Sequence, residues 1–270
     1  MGAVQALFVP LILGIVEGLT EFLPVSSTAH ILLIGHFLGF DSPGRVFEVL
    51  IQFGAILAIV IVYFARLLAI LRDAIAGKRG AWRFMLGVLL ASLPAAIAGV
   101  ALHDVIKNVI YETPLVYCTT LIVGGIILLY VDQLKLQPKY TDIYSYPPYL
   151  CFLIGLFQML ALVPGVSRSG ATIVGSLLLG TDKRSAAEFT FFIAIPIMLG
   201  AFSYDAYKAR DMLTTSLGLE VALGFAAAFL VAIFVVRNLL DFISRNGFAP
   251  FAYWRIFVGA LGLWGVLLFG

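Results

Sequence analysis

The stretch EGLTEFLPVSSTAH, residues 17–30, places two glutamates, a proline, several hydroxyl residues and a histidine inside an otherwise apolar, glycine-rich segment. A second break of this kind, PGVSRSGAT at residues 164–172, begins 140 positions after Pro24. Further residues recur at a spacing of 140 or 141: Gly14 and Gly155, Glu17 and Gln158, Gly35 and Gly175, Glu48 and Glu188. This recurrence predicts two homologous halves, residues 1–135 and 136–270, of a single membrane domain over residues 1–270.

The composition is that of a membrane protein. Of the 270 residues, 62% are hydrophobic and only 12% are charged, and the mean hydropathy is +1.06. A net charge of +2 without a basic stripe argues against nucleic acid as a partner. Apolar stretches long enough to cross a bilayer, about 20 residues each, are expected at 46–65, 84–102, 115–131, 186–204, 217–236 and 250–269.

The two interrupted segments, residues 3–40 and 148–180, are predicted to enter the membrane and return as re-entrant helix–loop–helix hairpins. Irregular backbone at membrane depth is tolerated only where protein buries it or where it lines a wet cavity. Two proline-kinked spanning helices are the alternative. The predicted fold is therefore an all-α integral membrane protein with six transmembrane helices and two re-entrant hairpins, here called the first and the second hairpin.

Lysine and arginine divide unevenly between the two membrane faces if the chain starts outside. Four lie on the outer face: Arg45, Lys107, Lys208 and Arg210. Twelve lie on the other, including the basic loop expected from Arg66 to Arg83: Arg66, Arg72, Lys78, Arg79, Arg83, Lys135, Lys139, Lys183, Arg184, Arg237, Arg245 and Arg255. The positive-inside rule assigns the twelve to the cytoplasm. The halves then form an inverted-topology repeat whose hairpin loops meet near the midplane, with Arg168 inside the membrane.

The first hairpin carries Glu17 and Glu21, four residues apart and thus on one helical face. Two like charges in a low-dielectric site repel, so their presence indicates a cation: a divalent metal, Arg168, or both. The alternative is that one carboxyl is protonated and only hydrogen-bonded. Intramembrane acids indicate function by default.

Hydroxyl residues and a histidine follow the first break. Ser26 and Ser27 precede the expected second helix of the hairpin, where serine is usually an N-cap. His30 lies three residues after Ser27 on the same helical face and can act as base, proton donor or nucleophile near neutral pH. The group therefore indicates nucleophilic chemistry as well as capping.

The second break places Arg168 among Ser167, Ser169 and Thr172, with glycines that permit close backbone approach. A helix N-terminus offers free N–H groups, and the arginine fork matches phosphate oxygens. The pattern predicts an anion site, most simply for phosphate. The competing account makes Arg168 a counter-ion for Glu17 or Glu21.

Residues 17–30 and 164–172 closely resemble the two signature motifs of bacterial undecaprenyl-pyrophosphate phosphatase, the family also known for bacitracin resistance. The resemblance covers essentially the whole chain. It implies a hydrolase of the bacterial cytoplasmic (inner) membrane that removes the terminal phosphate of undecaprenyl pyrophosphate, a polyprenyl lipid, and so recycles the carrier for peptidoglycan synthesis. The active site is expected to open to the periplasmic side, and the sequence leaves a homodimer open.

On this resemblance, Glu17 and Glu21 would hold a divalent cation, Mg²⁺ or Ca²⁺. The substrate phosphates would be bound by Ser26, Ser167, Arg168, Ser169 and Thr172. Ser27 is the preferred nucleophile, with His30 as base and then acid and with Glu21 and Arg168 also catalytic; His30 or water as the nucleophile stays open. The alternative function is an inverted-repeat lipid flippase or an ion-coupled transporter for an anionic substrate, which would need the anion grip but no nucleophile.

Overall fold

The computed structural model describes residues 3–40, 46–102, 113–208 and 218–269. Within these residues the chain forms α-helices, two short 3₁₀ segments and a single isolated β-bridge, but no strand. The α-helices are α1 Ala3–Thr20, α2 Ser27–Leu38, α3 Val46–Val62, α4 Phe64–Ile75, α5 Arg79–Ala101, α6 Pro114–Gln133, α7 Pro148–Met159, α8 Arg168–Leu178, α9 Lys183–Lys208, α10 Gly218–Asn246 and α11 Ala249–Phe269. The predicted all-α membrane class is confirmed.

Five helices, α5, α6, α9, α10 and α11, are long and apolar enough to cross a membrane. The predicted span at 46–65 is the sixth only as a bent pair, because the chain turns by 66° between α3 and α4. The loop predicted from Arg66 to Arg83 is wrong, since α4 occupies most of it and α5 begins at Arg79. Apolar and basic residues alternate there at helical spacing, which a composition-based loop prediction ignores.

Each interrupted segment forms two helices separated by a break, and the two helices pack against each other. The breaks are residues 21–26 in the first hairpin and 163–167, preceded by a 3₁₀ turn at Leu160–Leu162, in the second. Helix α2 has 12 residues and α8 has 11. At 1.5 Å per residue they are roughly 16–18 Å long, too short for a hydrocarbon core of about 30 Å. Neither helix could cross the core alone, and each packs on the preceding helix of its segment. That the two hairpins are re-entrant in the membrane stays a prediction.

The helix contacts are matched between the two halves. Helix α1 packs on α10, and its counterpart α7 packs on α5. Both contacts are close because a glycine faces backbone: a Cβ at Gly14 would lie 2.2 Å from the Gly224 oxygen, and one at Gly155 would lie 2.5 Å from the Ala91 oxygen. Gly14 and Gly155 are among the residue pairs that recur in the sequence. The inverted relation of the halves stays a prediction.

Helices α3, α9 and α10 supply much of the largest apolar core cluster, with Ala55, Phe191 and Val236 among its buried members. Phe22 of the first break also belongs to this cluster and contacts the Phe191 ring edge-on, with centroids 5.8 Å apart. The first break is therefore anchored to the core by an apolar side chain, while its polar residues face the second break.

Candidate active site

The two hairpin breaks meet in the protein interior. Arg168 Nη2, at the start of α8, donates to Glu21 Oε1 at 3.1 Å, and Ser169 Oγ donates to the Leu23 carbonyl at 2.7 Å. Glu21 and Arg168 are 147 positions apart in sequence, so this ion pair joins the two halves. The sequence analysis proposed Arg168 as a counter-ion for Glu17 or Glu21, and the structure pairs it with Glu21.

A polar cavity of about 230 Å³ lies at this junction. Five of the predicted site residues line it: Glu21, Ser26, Ser27, Ser167 and Arg168. The other predicted residues are buried without lining it: Glu17, His30, Ser169 and Thr172. The structure thus brings serines and one charge of each sign from both halves around one space. A cavity with convergent polar groups is the usual form of a small-molecule site.

Ser27 is the first residue of α2, and its hydroxyl donates a hydrogen bond to Glu21 Oε2. Both residues are nearly fully buried, at 6% and 7% exposure. A hydroxyl that donates to a buried carboxylate can lose its proton to that carboxylate as it attacks an electrophile. This arrangement can supply a hydroxyl nucleophile together with an acceptor for its proton, and the catalytic roles of both residues stay predictions.

His30 lies on α2, and its ring hydrogen bonds go to residues other than Ser27. Its Nε2 is 2.9 Å from Trp254 Nε1, and its Nδ1 is 2.8 Å from the Ser26 carbonyl oxygen. The indole N–H can only donate, so Nε2 accepts and Nδ1 carries the proton that is donated to Ser26. In this arrangement both ring nitrogens are engaged, and His30 supports the turn at Ser26. Its catalytic role stays a prediction.

Ser26 and Ser167 adopt left-handed backbone conformations, with φ of 69° and 73°. In the described ranges they are the only non-glycine residues with positive φ. Each is the N-cap of the second helix of its hairpin, and Ser167 Oγ accepts from the Gly170 amide at 3.1 Å. Such strained residues cost about 1–3 kcal/mol each and cluster at functional sites.

The Arg168 guanidinium is held from two directions, and one of its three nitrogens has no hydrogen-bond partner among the described residues. Its Nη1 donates to the Thr190 carbonyl at 3.3 Å and its Nη2 to Glu21, while the buried Nε–H has no hydrogen-bond partner among the described residues. Thr172 Oγ1 donates to Thr190 Oγ1 at 2.8 Å, which ties α8 to α9 beside the guanidinium. An unpaired buried donor costs roughly 1–3 kcal/mol, so it indicates a place for an anionic ligand.

The predicted metal ligands Glu17 and Glu21 are both buried. Glu17 Oε1 has no hydrogen-bond partner in the described part of the chain. No group of three or more His, Cys, Asp or Glu residues suited to a metal occurs there either. Mg²⁺ is typically held by one or two carboxylates plus substrate phosphates, whereas Ca²⁺ takes 6–8 oxygen ligands. The two glutamates fit Mg²⁺ bound together with a phosphorylated substrate better than Ca²⁺.

Sequence reasoning missed residues that only tertiary contacts bring to the site. Thr28 and Gln52 line the polar cavity. An amide inside the apolar helix α3, four residues after Glu48, was the available signal for Gln52. Trp254 of α11 carried no comparable signal.

The predicted location of Arg255 is wrong. It was assigned to the cytoplasmic face, but it is only 1% exposed and lies against both breaks. A basic residue near the end of an apolar segment is typical of an interfacial anchor, which explains the error. Of the four residues assigned to the outer face, Arg45, Lys107 and Arg210 lie outside the described residues, and the side chain of Lys208 is not described.

An apolar cavity of about 450 Å³ adjoins the polar cavity. It is lined mainly by α5, the end of α7 with its 3₁₀ turn, and α9, and the two cavities share Ala161, Arg168, Ile197 and Ala201. An apolar space thus leads directly to the cation of the polar site.

Comparisons with known proteins agree with the motifs. The profile of the family described as Bacitracin resistance protein BacA matches residues 10–261. Undecaprenyl-diphosphatase 1 of Agrobacterium fabrum is 62% identical over 266 residues, which is 98% of this chain and 99% of the relative. The undecaprenyl-diphosphatases of Rhizobium meliloti and Caulobacter vibrioides are 61% and 62% identical over 98% and 94% of this chain, and these matches cover 99% and 96% of the relatives. The chain belongs to the BacA family of bacitracin resistance proteins.

Proposed function

We propose that this protein removes the terminal phosphate of undecaprenyl pyrophosphate and releases undecaprenyl phosphate, the lipid carrier of cell-wall synthesis. The observation that carries the proposal is the Ser27 hydroxyl hydrogen-bonded to Glu21 on the cavity that Arg168 also lines. The names of close relatives support the same activity. They do not support the flippase or transporter alternative. A flippase or transporter would need the anion-binding residues but no nucleophile.

In the proposed reaction, Ser27 Oγ attacks the terminal phosphorus and its proton passes to Glu21. The bond from that phosphorus to the bridging oxygen breaks, and undecaprenyl phosphate leaves. Water then attacks the phosphoserine and breaks its bond to Ser27 Oγ. The proton held by Glu21 returns to Oγ, and inorganic phosphate leaves with the oxygen and the protons of the water. Arg168 stabilises the charge that spreads over the phosphoryl oxygens, and positioning with charge stabilisation dominates catalysis in phosphoryl transfer.

The serines of the second break would position the phosphates beside Arg168. Ser167 lines the polar cavity, and Ser169 and Thr172 stiffen the start of α8 through hydrogen bonds to Leu23 and Thr190. Ser26 of the first break lines the same cavity. We assign direct phosphate contacts to Ser26, Ser167 and Arg168, and a supporting role to Ser169 and Thr172.

Glu17 and Glu21 would hold Mg²⁺ beside the pyrophosphate. A divalent cation bound there offsets the negative charge of the substrate and polarises its phosphoryl oxygens. The buried Glu17 Oε1, which has no hydrogen-bond partner within residues 3–40, 46–102, 113–208 and 218–269, supports this assignment. Glu17 then serves the ion alone, while Glu21 serves the ion, Arg168 and Ser27.

The polyprenyl chain would occupy the apolar cavity. That cavity shares Arg168 with the polar one, so a lipid whose pyrophosphate binds Arg168 can place its first isoprene units between α5 and α9 without leaving protein contact. The rest of the chain would extend into the bilayer. We also place the protein in the bacterial inner membrane with the polar cavity open to the periplasm, as the distribution of lysine and arginine predicts.

The test is phosphate release from undecaprenyl pyrophosphate by the purified protein in detergent. We expect turnover with Mg²⁺ and its loss with a chelator, and Glu17→Gln should raise the Mg²⁺ concentration needed for half-maximal activity. Glu220→Gln on α10, away from the cavity, is the matched control and should titrate like the unmodified protein. No phosphate release under any condition, with transfer of polyprenyl phosphate across liposomes instead, would contradict the hydrolase. Full activity in chelator would contradict only the metal.

A further inference from the structure

Arg255 brings a cation into the protein interior that the proposed reaction does not use. Its Nη1 donates to the Pro24 carbonyl at 3.1 Å, and its Nη2 donates to the Gly165 carbonyl at 2.8 Å. Longer bonds reach the Thr120 and Leu121 carbonyls of α6, at 3.2 and 3.4 Å. Its hydrogen-bond partners within the described residues are all carbonyl oxygens. Burying a cation that only neutral carbonyl groups solvate costs free energy of folding. Its presence therefore indicates that it contributes to something else, such as the placement of the groups it holds.

The two short hydrogen bonds fall at equivalent points of the two hairpins. Pro24 lies two residues before Ser26, and Gly165 lies two residues before Ser167. These serines are the two strained N-caps with φ of 69° and 73°. Strained backbone persists only where its surroundings hold it in place. One guanidinium therefore holds the chain at the entry to both strained turns.

Glycines make the space that this guanidinium occupies. A Cβ at Gly124 of α6 would lie 1.9 Å from Arg255 Nη2, and one at Gly170 of α8 would lie 2.9 Å from Nη1. Thr120 Oγ1, next to the guanidinium on α6, donates to the Pro164 carbonyl at 2.6 Å. Thr120 of α6 and Arg255 of α11 therefore both hydrogen-bond to the second break. Arg255 also hydrogen-bonds to the first break.

We propose that Arg255 is a positioning residue that clamps the two breaks together and sets the placement of Ser27 and Glu21 relative to Arg168. The inference rests on the proposed hydrolase function, because its main readout is turnover. Lysine is a compact point charge without the planar fork, so it cannot donate to carbonyls on two sides in the same way.

The test compares Arg255→Lys and Gly124→Ala with the unmodified protein. The first variant keeps the charge but loses the fork, and the second displaces the fork without removing it. We expect kcat for phosphate release to fall by about 10²-fold in Arg255→Lys, the cost of a misplacement of about 1 Å at a reacting centre, and to fall in Gly124→Ala as well. KM should change by less than about threefold, since the phosphate-binding groups remain. Hydrogen exchange at residues 22–30 and 163–170 should rise in both.

Two controls separate positioning from general effects of substitution. Arg237→Lys changes an exposed arginine of α10, and Gly80→Ala fills open space at the start of α5. Both should keep the kcat and exchange of the unmodified protein.

Three results would overturn the clamp. The first is a kcat per folded molecule close to that of the unmodified protein in both variants. The second is unchanged exchange at the two breaks. The third is failure of both variants to fold in detergent, which would make Arg255 a folding requirement rather than a positioning residue. If the unmodified protein releases no phosphate, the hydrolase fails while the exchange measurement still decides the clamp.

Discussion

The Ser27 hydroxyl donates to Glu21, and this single hydrogen bond decides which residue is proposed to take the proton. We expect Ser27→Ala to abolish turnover while substrate still binds. Glu21→Gln should lower kcat by roughly 10²–10⁴-fold, the range for loss of a general base. His30→Gln should cost less, because His30 supports the Ser26 turn rather than the reacting oxygen. Steady-state phosphate release and binding of a non-hydrolysable pyrophosphate lipid check all three.

If His30→Gln loses more activity than Glu21→Gln, the base is His30. If His30→Gln is inactive and Glu21→Gln retains most of its kcat with the protein folded, the arrangement described here is not the reacting one. Near-normal hydrolysis by Ser27→Ala would pass the nucleophile to His30 or to water.

Sequence spacing selected several residues that line one cavity in the structure, but it could not predict the hydrogen bonds that these residues make. Local rules place Ser27 and His30 on one face of a helix, and the structure agrees. The partners of the imidazole, however, are a backbone carbonyl at Ser26 and an indole 224 positions away. Whether a side chain on a predicted face is free or engaged depends on such tertiary contacts, and residue spacing carries no information about them.

At the level of helices, apolar length predicted the spans well and their ends less well. From Gly218 onward, the span expected at 217–236 coincides with α10, a helix of 29 residues that runs on to Asn246; residue 217 lies outside the described residues. Helix α3 ends at Val62 although its apolar composition continues to Phe64. Hydropathy reports where lipid is tolerated, whereas helix ends depend on capping and on packing against neighbouring helices.

The apolar cavity allows a test of where the lipid chain lies. A Cβ at Gly200 of α9 meets nothing within 4 Å, so Gly200→Leu should place an isobutyl group in the cavity without moving backbone. We expect about a tenfold rise in KM for a pyrophosphate with three isoprene units, the cost of exposing roughly two methylene groups. KM for a pyrophosphate with one unit should change little. Kinetics over a series of chain lengths gives the comparison.

Gly80→Leu, at an open position outside the cavity, is the control for the added side chain and should leave both KM values unchanged. An equal rise in KM for the one-unit and three-unit substrates would mean that Gly200→Leu disturbs the phosphate site. The apolar cavity would then not be the binding place of the chain.

For the whole molecule, the predicted repeat agrees with one matched pair of helix contacts, and the inverted relation of the two halves stays a prediction. Gly14 and Gly155 recur in sequence and make matching close contacts in the two halves. Arg255 has no such counterpart, and it is buried because α11 packs on α6 and directs this side chain to both breaks. Moving it from the cytoplasmic face leaves eleven basic residues there against four, so the predicted orientation does not change.

That orientation is tested by accessibility to an impermeant thiol reagent in intact cells. Cysteines at positions 42 and 110, which lie outside the described residues, should react from the outside, whereas cysteines at 78 and 139 should not. The native Cys118 and Cys151 are buried free thiols and should give little background. Permeabilised cells provide the control, in which 78 and 139 must become reactive. Labelling of 139 but not of 42 in intact cells would reverse the orientation and would open the polar cavity to the cytoplasm, because the positive-inside rule alone sets the direction of the whole assembly.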